Sequence, residues 1–361
     1  MTKIENEINE ILSKVLDGKD LDQRQSYSIL DHVANGRVSA LKIAALLSGL
    51  RTKKETSEEI TGFVKAMRDH AVKLPLKEDD LKKWNYPIID TCGTGGDGSR
   101  TFNISTLVAI VVAGHGVPVL KHGNRLVSSA CGSADLLQAL GLKIDLTPEQ
   151  SVACLKQAGL AFLFAPIYHP AMKHVVPVRK ELGVRTVFNL LGPLLHPASI
   201  KHQLVGVFSP ALQEKLAEVL FKLKLKRFMV VCSDDGMDEA SVFAKTKVLQ
   251  HLSEASGDNG SGAGIVSQII DPSDYGLMHQ ESERKNILVN DIEASCKIAK
   301  SILAGEKGVA RDIVLLNAAL ALVVANASDD IGKAIEMAAK SIDDRKAQLV
   351  IDKMKDFCTK L

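Results

Sequence analysis

The chain has 361 residues, 46% of them hydrophobic and 24% charged, with a formal net charge of +2. That is room for about two domains, and so balanced a charge gives no reason to expect nucleic acid or an anionic membrane as partner. The six cysteines (Cys92, Cys131, Cys154, Cys232, Cys296 and Cys358) are scattered without a C-x-x-C pair, which argues against a zinc site or a secreted disulfide framework and for a reducing, cytoplasmic setting.

The N-terminus "MTKIENEINEILSK" lacks the apolar stretch of a signal peptide. Ile4, Ile8, Ile11, Leu12 and Val15 recur at helical spacing, so the chain opens on an amphipathic helix. Asp22 is placed to cap a second helix that stops near Gly36. Ser39 opens a third, expected to end near Gly49, and Thr56 with Glu59 forms a capping box ahead of a fourth. At Trp84–Pro87 the character changes. Short apolar runs follow at Ile88–Asp90, Pro118–Lys121, Ala161–Ala165, Gln203–Val207 and Arg227–Cys232, with helical patterns such as "SADLLQALGL" and "PALQEKLAEVLFKL" between them. Such alternation predicts a mostly parallel sheet covered by helices. The stretch from Met172 to Leu195 breaks the rhythm and is expected to pack back on the N-terminal helices. Ser253–Gly264 reads as a surface loop. "VLLNAALALVVANA", interrupted by Asn317, is shorter than the ~20 residues of a spanning helix and reads as a buried core helix. The expected fold is therefore α/β: a small all-helical domain, residues 1–84 with 170–195, and a larger α/β domain, residues 85–169 and 196–361, with a mostly parallel central sheet.

Four stretches carry chemistry. In "IIDTCGTGGDGSRTFNIST", Gly93, Gly95 and Gly98 satisfy G-x-G-x-x-G after a predicted strand. A dinucleotide fold would need an acidic residue at the end of the next strand. That place holds Lys121, His122 and Arg125 instead, so the better reading is an anion cradle. Its glycines let backbone N–H groups converge, and Asn103, Ile104, Ser105 and Thr106 open a helix whose N-terminus favours a phosphate or pyrophosphate. "KHGNRLVSSACGS" brings Lys121, Arg125, Ser128, Ser129 and Ser133 to the same side of the sheet. In "FAPIYHPAMKHVVPVRKELGVRTVFNLLGPLLHP", Tyr168 and His169 follow a strand, and Arg179 and Arg185 can each grip a carboxylate, as a small aromatic acid would require. "MVVCSDDGMDEAS" ends a strand in Asp238 and Glu239, a carboxylate pair suited to Mg²⁺ beside a polyphosphate.

In order and spacing these stretches resemble the anthranilate phosphoribosyltransferase family. "DTCGTGGDG", "TFNIST", "KHGNR", "GSADLL", "GMDEAS" and the later "GEKGVARDIVLLNAALAL" all carry the likeness, which runs over nearly the whole chain. The resemblance implies transfer of the phosphoribosyl group of 5-phosphoribosyl 1-pyrophosphate to the amine of anthranilate, and a homodimer through the small domain. It implies that the phosphoribosyl pyrophosphate is held by Gly93, Gly96, Asp97, Thr101 and Asn103–Thr106 on the first loop. On the second it implies Lys121, His122, Gly123, Asn124, Arg125, Ser128, Ser129 and Ser133. Anthranilate falls to Gly93, Asn124 and Arg179, in a channel shaped by His122, Tyr168, His169 and Pro193. Two Mg²⁺ ions fall to Ser105, Asp238 and Glu239, and Lys121 with the acidic pair forms the catalytic set. Relatives commonly carry His-Gly where this chain has Cys232 and Ser233. No general base is implied, and hinges are expected near Trp84–Pro87 and Tyr168–Lys173. A pyrimidine nucleoside phosphorylase shares this type of fold but needs no paired carboxylates. A non-catalytic nucleic-acid-binding relative would not keep Asp238 and Glu239.

Overall fold

In the computed structural model, which describes residues 2–125, 132–252 and 264–361, the chain begins as four helices whose starts are set by side-chain caps. Helix α1 (Lys3–Leu16) starts at Thr2, α2 (Gln23–Ala34) at Asp22, α3 (Ala40–Lys53) at Ser39 and α4 (Ser57–Asp69) at Thr56. Each cap accepts an amide hydrogen that the helix itself leaves unpaired. Glu59 is fully buried yet satisfied: it accepts from the amides of Leu21 and Thr56, both at 2.9 Å, and from Lys53 Nζ at 2.7 Å.

The expected stop near Gly49 does not occur, and α3 runs on to Lys53. Gly49 lies against α1, where an added Cβ would stand 2.8 Å from Val15 Cγ1, so this glycine serves close packing. Gly62 does the same where α4 crosses α2. A Cβ there would lie 2.5 Å from the Gln23 carbonyl oxygen and 2.7 Å from Ser26 Cβ. Gly62→Ala should therefore force the two helices apart and destabilise the protein by about 1–3 kcal/mol, the usual cost of overpacking. An unchanged denaturant midpoint would show that the crossing has room to spare.

Seven strands form one sheet: β1 (Ile89–Gly93), β2 (Val119–Gly123), β3 (Leu160–Phe164), β4 (His202–Gly206), β5 (Arg227–Ser233), β6 (Thr246–His251) and β7 (Val266–Ile270). Their order is β3-β2-β1-β4-β5-β6-β7. The first five are parallel, each within three residues of its expected position, while β6 adds antiparallel to β5 and β7 antiparallel to β6, neither of them anticipated. Strand β7 has the burial of an edge, with Val266 and Ile269 exposed, so its sequence lacks the apolar run that marks a covered strand. The expected loop over Ser253–Gly264 lies outside the described residues up to 263.

From β1 the chain steps outward to β2 and β3, then returns to place β4 on the other side of β1. Beyond the carboxyl ends of β1 and β4 the connections therefore diverge, which is where open α/β sheets leave a crevice. Apolar cores cover both faces. On one lie the helices Ile104–His115 and Val309–Val324, the latter almost wholly buried, as expected of a core helix. On the other lie α1–α4, the helix Pro210–Lys222 and residues of the 171–195 segment (Ala171, Val175, Val178, Phe188, Leu191 and Leu194). Side-chain alternation joins the faces: Val205, Phe228 and Val230 point to the second core, Leu204, Met229 and Val231 to the first. No helix among the described residues is long and apolar enough to cross a membrane.

Candidate active site

A cleft of about 1250 Å³ opens beyond the ends of β1, β2 and β3. Its floor is the glycine loop. Gly95, Gly96 and Gly98 take φ values of +65°, +79° and +74°, which other residues adopt only with strain. The loop is tied down at its edges. The Thr94 amide donates to the Gly206 carbonyl at 2.9 Å, the Gly95 amide to Asp238 Oδ2 at 2.8 Å, and Arg185 Nη2 to the Gly96 carbonyl. Among the described residues the amides of Gly96, Asp97 and Gly98 have no protein partner. They form a nest for an anion, bordered by the start of the helix Ile104–His115 and its cap Asn103.

Strand β2 supplies the next wall. Lys121 is 3% exposed, and its Nζ donates to the Thr91 carbonyl at 2.6 Å and to Ser105 Oγ at 3.1 Å. Burial pulls its pKa down, against the upward pull of Asp90, Cys92 and Glu239. Its charge therefore acts from beneath the floor. Gly123, Asn124 and Arg125 continue the wall; Arg125 is paired with Asp135 at 2.7 Å, and Ser133 Oγ donates to the Asn124 carbonyl. Ser128 and Ser129 lie outside the described residues.

Asp238 and Glu239 follow β5 and close the cleft beside the nest. Burial, then the neighbouring Asp97, pushes Asp238 up to about 7. Burial and Asp238 lift Glu239 well above the usual carboxylate range, opposed by Lys121 and the Ser105 amide. Glycines admit the pair. A Cβ on Gly93 would lie 2.4 Å from Asp238 Oδ2, and one on Gly206 only 1.5 Å from the Asp238 carbonyl oxygen. Among the described residues no three His, Cys, Asp or Glu side chains form a complete metal cage. Mg²⁺ takes one or two carboxylates and fills its octahedron with phosphate oxygens and water, a share the pair Asp238 and Glu239 matches. Two like charges forced together in one corner fit such a cation.

The far half of the cleft is different. His122 and His169 stack edge to face at 5.1 Å, with His196 behind His122 at 6.0 Å. Burial first, then mutual repulsion, drives His122 well below its ordinary pKa. Burial takes His169 to about 4 and lowers His196 as well. At neutral pH this cluster is uncharged. Among the described residues His122 Nε2 has no hydrogen-bond partner, and neither ring nitrogen of His169 makes a well-formed bond, although the Leu195 backbone is near enough to favour its proton. Pro193 lines the same hollow. Arg179 lies over the Phe188 ring at 5.6 Å and reaches Asn189 Oδ1 at 3.4 Å, with no carboxylate partner among the described residues.

Two expected site residues are misplaced. Tyr168 is fully buried and donates its hydroxyl hydrogen to Ser151 Oγ at 2.9 Å; it faces the core, and its neighbour His169 turns to the cleft. Thr106 is also fully buried, and its amide is taken by Asn103 Oδ1 at 3.1 Å, so it offers the cleft neither hydroxyl nor N–H. Ile104 contributes a core side chain, 2% exposed, at the cleft edge. The other described residues expected in the site all line it. Phe188, Asn189, Val289 and Asn290 line it unforeseen. Asn189, a polar residue inside an apolar run, was the one legible sign. Val289 and Asn290 arrive through a short antiparallel pairing, far apart in sequence: the Val289 amide donates to the Arg100 carbonyl at 2.9 Å and the Phe102 amide to the Ile287 carbonyl at 3.0 Å.

Comparison with known proteins covers nearly the whole chain. Residues 9–71 match the family model described as "Glycosyl transferase family, helical bundle domain", and residues 85–348 that described as "Glycosyl transferase family, a/b domain". The anthranilate phosphoribosyltransferase of Thermoanaerobacter sp. (strain X514) is 44% identical over 350 residues, 97% of each chain. The crystal structure of the enzyme of that name from Thermus thermophilus superposes with a TM-score of 0.84 at 34% identity, covering 97% of this chain and 99% of the other. The one from Saccharomyces cerevisiae, solved in complex with PRPP and Mg, gives 0.85 at 27% identity over 99% of both chains, and it is known with 4-fluoroanthranilate as well. With fold, cleft and full-length likeness in agreement, the chain belongs to the anthranilate phosphoribosyltransferases of the glycosyl transferase family.

Proposed function

We propose that the cleft binds 5-phosphoribosyl 1-pyrophosphate and anthranilate and joins them to N-(5-phosphoribosyl)anthranilate, releasing pyrophosphate, a step of tryptophan biosynthesis. The observation that carries this is the division of one cleft into two unlike halves: free amides and a carboxylate pair on one side, uncharged imidazoles and an unpaired arginine on the other. A diphosphate fits the first half, on the amides of Gly96–Gly98 with Thr101, Asn103 and Ser105. Asp238, Glu239 and Ser105 would hold Mg²⁺, two ions in our reading. Bound there, Mg²⁺ would neutralise charge on the departing pyrophosphate.

The second half suits anthranilate. Arg179, steadied over Phe188, faces its carboxylate, while Asn124, His122, His169 and Pro193 bound the ring. The bond from the ribose anomeric carbon to pyrophosphate breaks, the amine nitrogen bonds to that carbon, and the amine gives up a proton. Lys121 contributes from below by fixing Ser105 and the end of β1. Fixed donors where charge develops supply about 2.7–4 kcal/mol each. Residues 1–84 with 170–195 would close over 85–169 and 196–361 to exclude water. Exposed Ile4, Leu16 and Leu41 on α1 and α3 favour a homodimer through the helical domain.

Mixing the protein with phosphoribosyl pyrophosphate, Mg²⁺ and anthranilate should quench anthranilate fluorescence; a steady signal would refute the assignment. Arg179→Ala should raise KM for anthranilate at least about ten-fold, in line with loss of a charge-assisted hydrogen bond. KM for phosphoribosyl pyrophosphate should barely move, and equal effects on the two would remove Arg179 from the carboxylate.

A further inference from the structure

Asn317 stands in the middle of the helix Val309–Val324, where residues 313–324 are all buried. It is 0% exposed. An amide buried without partners would be costly, yet this one is fully used. Its Oδ1 accepts from the Ala240 amide at 2.8 Å, and its Nδ2 donates to the Ala240 carbonyl at 2.8 Å and to the Ile313 carbonyl, one turn back on its own helix, at 2.8 Å. Because two carbonyls need donors and one amide needs an acceptor, a single orientation of the side chain satisfies all three.

Ala240 directly follows Glu239, and it too is 0% exposed, so water has no access to replace the pairing. One side chain thus holds both backbone polar groups of the residue next after the acidic pair. The same turn is braced from outside. Asp235 Oδ2 accepts from Ser241 Oγ and from Arg284 Nη2, each at 2.7 Å, and the His279 amide donates to the Val242 carbonyl at 2.8 Å. Those braces act on residues after Ala240 or before Asp238. The Asn317 clamp is the contact from the apolar core that falls next to the pair itself.

We propose that Asn317 is a positioning residue for Asp238 and Glu239: by holding the Ala240 backbone at two points it sets where both carboxylates stand in the cleft, and thereby the affinity for a divalent cation. The inference rests on the reading of that pair as metal ligands. A merely structural asparagine would change stability and leave metal affinity, measured on the folded protein, where it was.

The test uses Mn²⁺ as probe, with free Mn²⁺ followed by electron paramagnetic resonance at saturating phosphoribosyl pyrophosphate. Asn317→Ala and the isosteric Asn317→Asp, each confirmed folded by circular dichroism, should bind Mn²⁺ about 10–100-fold more weakly, the range seen when a partner that orients metal ligands is lost. KM for the metal complex of phosphoribosyl pyrophosphate should rise with it, while KM for anthranilate stays within about two-fold. Amide exchange across 237–243 should speed up in the metal-free protein. Asn317→Asp keeps shape and acceptor and loses the donor, so it decides the matter if the alanine variant fails to fold. Unchanged Mn²⁺ affinity in a folded variant, or equal rises in both KM values, overturns the proposal. The Asp238→Asn, Glu239→Gln variant is the control: if it binds Mn²⁺ like the parent, the metal reading itself is wrong; if it does not, and the Asn317 variants do, only the positioning role falls.

Discussion

Asp238→Asn combined with Glu239→Gln should cut turnover at limiting Mg²⁺ by about 10²–10³-fold, the loss typical of removing charge stabilisation at a reacting centre, and yet leave a protein that is more stable at pH 8 than its parent. Both halves of that result come from one arrangement. Burial and the proximity of Asp97 raise Asp238 to about 7, and burial with Asp238 lifts Glu239 well above the usual carboxylate range. A carboxylate whose folded pKa is raised holds its proton in the folded state at pH values where the unfolded chain has already released it. Stability of the metal-free protein is therefore full below the ordinary carboxylate range of about 4 and falls as pH climbs toward 7. The neutral amides escape this loss. Melts in a chelator should show the variant ahead at pH 8 and level with the parent near pH 4. Both carboxylates open in part to the cleft, so water softens the effect without reversing it. In the parent, protons compete with the cation, so the Mg²⁺ requirement should rise below pH 7. A variant that is fully active, or less stable than the parent at pH 8, would show that these carboxylates do not repel one another for the sake of a cation.

Gly206→Ala should be equally damaging for a purely steric reason. Gly206 ends β4 and pairs with Gly93 of β1, so the sheet holds it in place. The carbonyl oxygen of Asp238 would lie 1.5 Å from the new Cβ and its carbonyl carbon 2.6 Å away, and both are backbone atoms that no rotamer change can move. The turn must lift, carrying Asp238 and Glu239 out of register with the nest. We expect kcat/KM to fall by about 10²-fold, the loss that a 1 Å misplacement can bring, together with about 1–3 kcal/mol of stability from overpacking. The double carboxylate variant loses activity without that destabilisation, so the two kinds of damage separate on one melting curve. Near-normal kcat/KM in Gly206→Ala would mean that the height of this turn is immaterial to the reaction.

What could be read from residues alone was whatever local chemistry decides. Caps at Asp22, Ser39 and Thr56 were visible because a hydroxyl or carboxylate ahead of an apolar period has few other uses. The anion loop was visible because glycines and hydroxyls clustered after a strand. Facing was not visible. Tyr168 and His169 are neighbours, and which of them meets the cleft depends on how the short helix Ala165–Tyr168 leaves β3. Thr106 is two residues past the cleft-lining Asn103–Ile104 step of a helix, and rotation along that helix puts it in the core. Gly49 reads as a helix stop until the helix against it is known. Val289 and Asn290 join the site through a pairing with Arg100 that no spacing announces.

The second apolar core has an implication for synthesis on the ribosome. Helices α1–α4 share that core with Phe188, Leu191, the helix Pro210–Lys222 and Phe228 of β5. An emerging N-terminal bundle thus lacks much of its apolar cover until well over half the chain has been translated. A nascent chain stalled near residue 75 exposes that surface and invites chaperones, whereas one from which Phe228 has cleared the ribosome carries the partners that bury it.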